Sequence, residues 1–131
     1  MYVNRQENFD AFYETDMAAK VAAATPHQLV MMMFDGLGDE LIRAKSHILA
    51  KRYERKAVSV NKCIDILNAL TSALDYEKGG ELATSLASIY DYCVHRLYEA
   101  SNALSAEMIG EVEVLIAELR GGWNAIGKLN G

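Results

Sequence analysis

Proline is nearly absent from this chain: Pro26 is the one proline in 131 residues, beside nine glycines. A turn-rich all-β protein needs more of both, so the scarcity favours long uninterrupted helices. Two cysteines, Cys63 and Cys93, are too few for a disulfide framework at this length. Both fall on apolar stripes of helical spacing and read as reduced core residues, as expected in the cytosol. No run reaches the ~18 apolar residues of a membrane span, so no membrane insertion is expected. Glu7, Asp10, Glu14 and Asp16 interrupt the N-terminal residues and exclude a secretory signal. Positive charge is in deficit, 13 Lys+Arg against 18 Asp+Glu for a net charge of -5, which argues against general nucleic-acid binding. The run Lys51-Arg52-Tyr53-Glu54-Arg55-Lys56 is interrupted by an acid and reads as a solvated helix junction.

Catalytic and metal-binding patterns are missing as well. No Glu stands three residues before a His, which excludes the di-iron carboxylate arrangement of helical bundles. No Cys-x-x-Cys, Gly-x-Ser-x-Gly, phosphate-binding loop or Gly-x-Gly-x-x-Gly occurs. His27 lies in a helix cap, His47 stands alone, and Asp91 with His95 makes an ordinary i,i+4 surface pair. The chain therefore reads as a non-enzyme without cofactor or metal.

What the chain does have is apolar helix. Hydrophobic residues make up 51% and charged residues 24%, the balance of one globular domain. Residues 1–24 form a polar, acidic leader with Phe9, Phe12, Tyr13, Met17 and Val21 at roughly helical spacing, marginal as a helix by itself. Thr25-Pro26-His27-Gln28 then carries Thr at N-cap, Pro at N1 and Gln at N3, a capping box. From it a first helix runs to about Ala50 on the stripe Val30, Phe34, Leu37, Leu41, Ala44 and Ile48. A second spans about Tyr53 to Tyr76, with Ala57, Val60, Ile64, Leu67, Thr71 and Leu74. Gly79-Gly80 breaks the chain. A third covers about Glu81 to Asn102, with Leu82, Leu86, Ile89, Cys93, Leu97 and Ala100. Ser105 caps a fourth, with Ile109, Val112, Ile116, Leu119, Trp123 and Ile126. Short connections make neighbours antiparallel, so residues 25–131 are expected to form an all-α, up-down-up-down four-helix bundle.

A bundle helix needs about three apolar positions in seven. The first two helices exceed this. Leu29, Met32 and Met33 lie to one side of the first stripe, and Cys63, Ile66, Leu70 and Ala73 to the same rotational side of the second. In an antiparallel pair these flanks meet, so they are expected to line one groove. The third helix carries Ala83, Ala87, Tyr90, Val94 and Tyr98 on its other flank. Such a surplus widens the core, covers a dimer interface, or grips an apolar helix or extended peptide. Met31-Met32-Met33 suits the last, because thioethers repack against varied partners.

Several segments together resemble one family, the flagellar secretion chaperones FliS. They are Ala24-Thr25-Pro26 with Leu29 and Met33-Phe34-Asp35-Gly36; Leu70, Leu74 and Asp75 before Gly79-Gly80-Glu81-Leu82-Ala83; Ile89-Tyr90-Asp91-Tyr92 with Arg96-Leu97 and Ala100; and Leu119-Arg120 with Trp123. The resemblance spans roughly residues 13–126 in one order, with Phe34 where the family usually has Tyr. It implies a cytosolic helical bundle without enzymatic activity. It further implies binding of the disordered C-terminal segment of flagellin before type III flagellar export, which prevents premature polymerisation. Tyr13 then corresponds to a leader latch over part of the binding surface. Together with the helical geometry, the expected peptide-binding residues are Tyr13, Leu29, Met32, Met33, Ile66, Leu70, Tyr90 and Val94. Docking on components of the export gate, adaptor work for another flagellar protein, and self-association into a homodimer stay open.

Overall fold

Thr25 starts the first long helix as its neighbours dictate. Its hydroxyl accepts from the Gln28 N–H at 3.1 Å, and the Gln28 side-chain carbonyl accepts from the Thr25 N–H at 2.9 Å. Both halves of the capping box are thus present, with Pro26 in the first helical turn. The computed structural model of the chain describes residues 15–130, with side chains to residue 127. Among these residues it is all-helical. Helix α1 covers residues 15–23, α2 Pro26–Leu49, α3 Tyr53–Ser72, α4 Tyr76–Ala103 and α5 Ala106–Asn130. Tyr13, Phe9 and Phe12 of the leader lie outside the described residues.

The helix ends follow from local chemistry. After α2 the chain turns through Lys51 at φ 60°, and the Arg52 N–H reaches back to the His47 carbonyl at 2.8 Å. After α4 it turns through Leu104 at φ 52°, and the Ser105 N–H reaches the Ala100 carbonyl at 3.0 Å. Both are left-handed C-terminal caps of the kind glycine usually provides, here built on side-chain-bearing residues. Ser105 does cap α5, accepting from the Met108 N–H at 3.1 Å. The break expected at Gly79-Gly80 lies within α4. Gly80 sits at φ 50° and ψ -125°, a backbone open only to glycine, between a first turn capped by Asp75 and the long helix from Glu81.

Helices α2, α3, α4 and α5 pack in a ring, each against its chain neighbours, with α5 closing on α2. Three links between α2 and α5 run in opposite order along the two helices: His27 with Trp123, Asp35 with Arg120, and Lys45 with Glu113 at 2.6 Å. Inside the ring the core holds Leu37 and Leu41 from α2, Cys63, Leu67 and Leu70 from α3, Cys93 and Leu97 from α4, and Ile109 and Val112 from α5. Both cysteines are free and buried.

The buried faces are partly rotated from the expected stripes. On α3, Cys63 and Leu70 are buried and Ala57 is exposed. On α4, Ala83 and Tyr90 are buried, whereas Leu82 is 59% exposed. The reason is the ring itself. A helix packed against a neighbour on each side buries two adjoining faces, and this consumes much of the apolar surplus.

Candidate functional site

An apolar cleft of about 190 Å³ opens where α4 faces the later turns of α5. Leu82 and Leu86 stand one turn apart on α4, with Tyr90 a turn further; Leu119, Trp123 and Ile126 repeat at i, i+4 and i+7 along α5. The two rows form the walls. Tyr90 and Phe34, both nearly sealed, form the floor. Burial, and secondarily the charge of Cys93, push the Tyr90 phenol above its ordinary value, so it stays neutral. Glu118 and Gly122 complete the lining. Leu82 and Ile126 remain substantially exposed, so apolar surface reaches the rim.

A second depression of about 670 Å³ adjoins the first and shares Trp123 and Ile126 with it. Its other walls come from the start of α2, including Pro26, His27 and Val30, with Ala73 after α3 and Gly127 of α5. The partition between the two depressions is a clasp. The His27 ring lies flat on the Trp123 indole, with centroids 5.1 Å apart and planes 8° from parallel. The indole N–H donates to the His27 carbonyl at 3.1 Å, and His27 Nε2 donates to the Trp123 carbonyl at 2.7 Å. A carbonyl only accepts, so the proton is on Nε2. Gly127, one turn beyond Trp123, makes room: a Cβ there would overlap the His27 ring.

Of the expected binding residues, Tyr90 reaches this cleft, as floor rather than as an exposed contact. Val94 is half-buried and packs against the core. Leu29 and Met32 are half-buried on α2; Met33 and Ile66 are half-buried and pack against the core. Leu70 corrects the expected groove: it is 2% exposed and belongs to the core, because α3 buries its Cys63–Leu70 face as well as its Val60–Leu67 face. Its replacement by Asp therefore tests folding rather than binding. Tyr13 lies outside the described residues. Sequence reasoning missed Leu119, Trp123, Ile126 and His27, having assigned the first three to the core and His27 to a cap. The available signal was Trp123: a large aromatic in the last turns, beyond Gly121-Gly122, where the core has little left to fill.

The two thiols have no exposed role. Burial pushes Cys63 up to about 12, with the charge of Glu40 adding, and pushes Cys93 up to about 11. Among the described residues, no group of three or more His, Cys, Asp or Glu side chains is placed to hold a metal ion, and no helix is long and apolar enough to cross a membrane.

Residues 9–130 match the family described as "Flagellar protein FliS". The chain is 38% identical over 117 residues to the flagellar secretion chaperone FliS of Salmonella typhimurium, covering 88% of this chain and 87% of the relative. It is 32% identical to the flagellar secretion chaperone FliSB of Pseudomonas aeruginosa, over 88% of this chain and 91% of that protein. With the Escherichia coli flagellar secretion chaperone FliS the identity is 33%, over 86% and 84%.

Proposed function

The chain belongs to the FliS family of flagellar secretion chaperones, and from that premise we propose that it binds the disordered C-terminal segment of flagellin in the α4/α5 cleft. Bound there, the client cannot polymerise early and stays competent for type III flagellar export. The observation that carries this reading is the apolar cleft with Leu82 and Ile126 exposed on its rim. A disordered client loses entropy on binding, a cost of roughly 2–5 kcal/mol or more. Seating two or three leucine-sized client side chains returns about 1.5–3 kcal/mol each, enough to offset it. The half-buried Leu29, Met32, Met33 and Ile66 then serve a second stretch of the same client, and Tyr13 latches the empty surface.

The reading takes residues 25–131 as one antiparallel, up-down-up-down four-helix bundle beneath the leader 1–24. The opposite order of the α2/α5 links and the ring of packed neighbours support this. It places the protein in the cytosol as a non-enzyme, handing the client on to export-gate components. Trp123 provides the test. It is the one tryptophan in the sequence and lines the cleft, so a flagellin C-terminal peptide should shift its emission saturably. Leu82→Asp should weaken that binding at least tenfold at unchanged helicity. Equal affinity of the variant in calorimetry would refute the cleft assignment. Light scattering answers the alternative of a structural homodimer, which predicts a dimer that the peptide never perturbs.

A further inference from the structure

Charge is distributed very unevenly along this acidic chain. Residues 43–62 hold seven of the 13 Lys and Arg residues and one of the 18 Asp and Glu residues, a net +6, which leaves -11 on the rest. Part of this stretch lines a shallow groove of about 360 Å³ between α2 and α3, while Lys45 pairs with Glu113 of α5 at 2.6 Å and Lys56 reaches Ser101 of α4. Arg43 lines it from α2; Arg55, Val58 and Lys62 line it from α3. Some of these cations are already committed. Arg43 donates to the buried Glu40 at 2.8 Å, Arg52 to His47 Nδ1 at 3.0 Å, and Lys56 to the Ser101 hydroxyl at 3.0 Å. Arg55 and Lys62 have no ion-pair partner among the described residues, and Glu54 is the one acid at the groove besides the committed Glu40. Burial, then the fields of Arg52 and Arg55, hold the His47 imidazole below its ordinary value. Between the two free cations on α3, Val58 is 54% exposed.

We propose that the α2/α3 groove docks a short acidic polypeptide segment, whose carboxylates pair with Arg55 and Lys62 while an apolar side chain covers Val58. Charge complementarity names the occupant, and the range of the field limits its size. At physiological salt charges are screened within about 8 Å, so a short segment feels the groove's own lining, where Arg55 and Lys62 stand unpaired beside Glu54 and the Arg43–Glu40 pair is already neutral. Nucleic acid carries a phosphate charge about every 1.7 Å along its axis and extends past the patch, and a chain that is net acidic overall repels that extension. An anionic bilayer is a plane, whereas these cations flank a depression between two helices. The proposal stands apart from the α4/α5 cleft and does not depend on it.

The test uses the full chain and a fluorescein-labelled peptide of about ten residues alternating Glu and Ala around one central Leu, followed by anisotropy. We expect saturable binding that weakens at least tenfold as NaCl rises from about 50 to about 500 mM. Arg55→Glu with Lys62→Glu should abolish it, and Arg55→Gln with Lys62→Gln serves if the first pair folds poorly by circular dichroism. Leu82→Asp should bind this peptide like the parent, which separates failure here from failure of the flagellin reading. Amide shifts confined to residues 43–62 would support the assignment. Undiminished binding by the double variants, shifts on α4 and α5, tighter binding to phosphatidylglycerol vesicles or to oligothymidine, or a salt-sensitive dimer that excludes the peptide would each overturn it.

Discussion

The groove between α2 and α3 and the cleft between α4 and α5 arise from the same helical repeat yet present opposite chemistries. The first is shallow, with Arg43, Arg55 and Lys62 set among Glu40 and Glu54; the second is apolar except for Glu118 in its lining. The difference traces to how each pair meets the core. On α3, the Cys63–Leu70 face turns inward, which uses up most of its apolar residues and leaves the cations and Val58 outside. On α4 the buried row runs through Ala83 and Tyr90, which leaves Leu82 and Leu86 facing α5 across open space. Counting apolar residues on a helix does not locate a binding surface. What matters is which of them the neighbours leave uncovered.

Two leucines break this comparison most sharply. Leu70→Asp puts an unpaired carboxylate in the sealed core, a change worth roughly 3–5 kcal/mol, a large share of an ordinary domain's stability. Cooperative thermal melting should be lost or shifted far down. Leu82→Asp, on the exposed rim, should leave the melting temperature within a few degrees. Equal damage from the two would erase the distinction drawn between the regions. A smaller effect is expected at the clasp. Gly127→Ala drives a methyl into the His27 ring, and overpacking of this kind costs about 1–3 kcal/mol. The emission of Trp123 should change with it, while the charged α2/α3 groove should not notice. Next comes Gly80→Ala, expected to destabilise by about 1–2 kcal/mol because its φ of 50° and ψ of -125° suit only glycine. Smallest is a gain. Leu104 occupies a left-handed cap at 41% exposure, so Leu104→Gly should raise stability by about 0.5–1 kcal/mol in denaturant unfolding.

Much of the architecture was legible in the chain. The Thr25–Gln28 capping box, the stripe Phe34, Leu37, Leu41, Ala44 and Ile48 and the Ser105 cap stand where expected, whereas the break between the second and third long helices falls before Tyr76 and Gly80 makes only a kink inside α4. The caps are settled within one helical turn, and the stripe by the helical repeat alone. The site was less legible. A helical stripe has a readable period but no readable zero, so the rotation of α4 about its own axis, which buries Tyr90 and frees Leu82, depends on neighbours far along the chain. The clasp of His27 with Trp123 joins residues 96 apart and has no local signature at all. Leu70 follows the same logic: its periodicity marks it as apolar, while only the packing of α3 against two partners marks it as core. The basic stretch reads locally as a helix junction, because the interrupting Glu54 hides how few other acids stand nearby.

The sealed thiols have a practical consequence. Cys63 and Cys93 are the only sulfhydryls in the sequence, and both stay protonated far above neutrality. A single cysteine introduced on the outside would therefore be the one accessible thiol a maleimide finds in the native fold. A spin label or dye could then be attached at any chosen spot without first removing the natural pair.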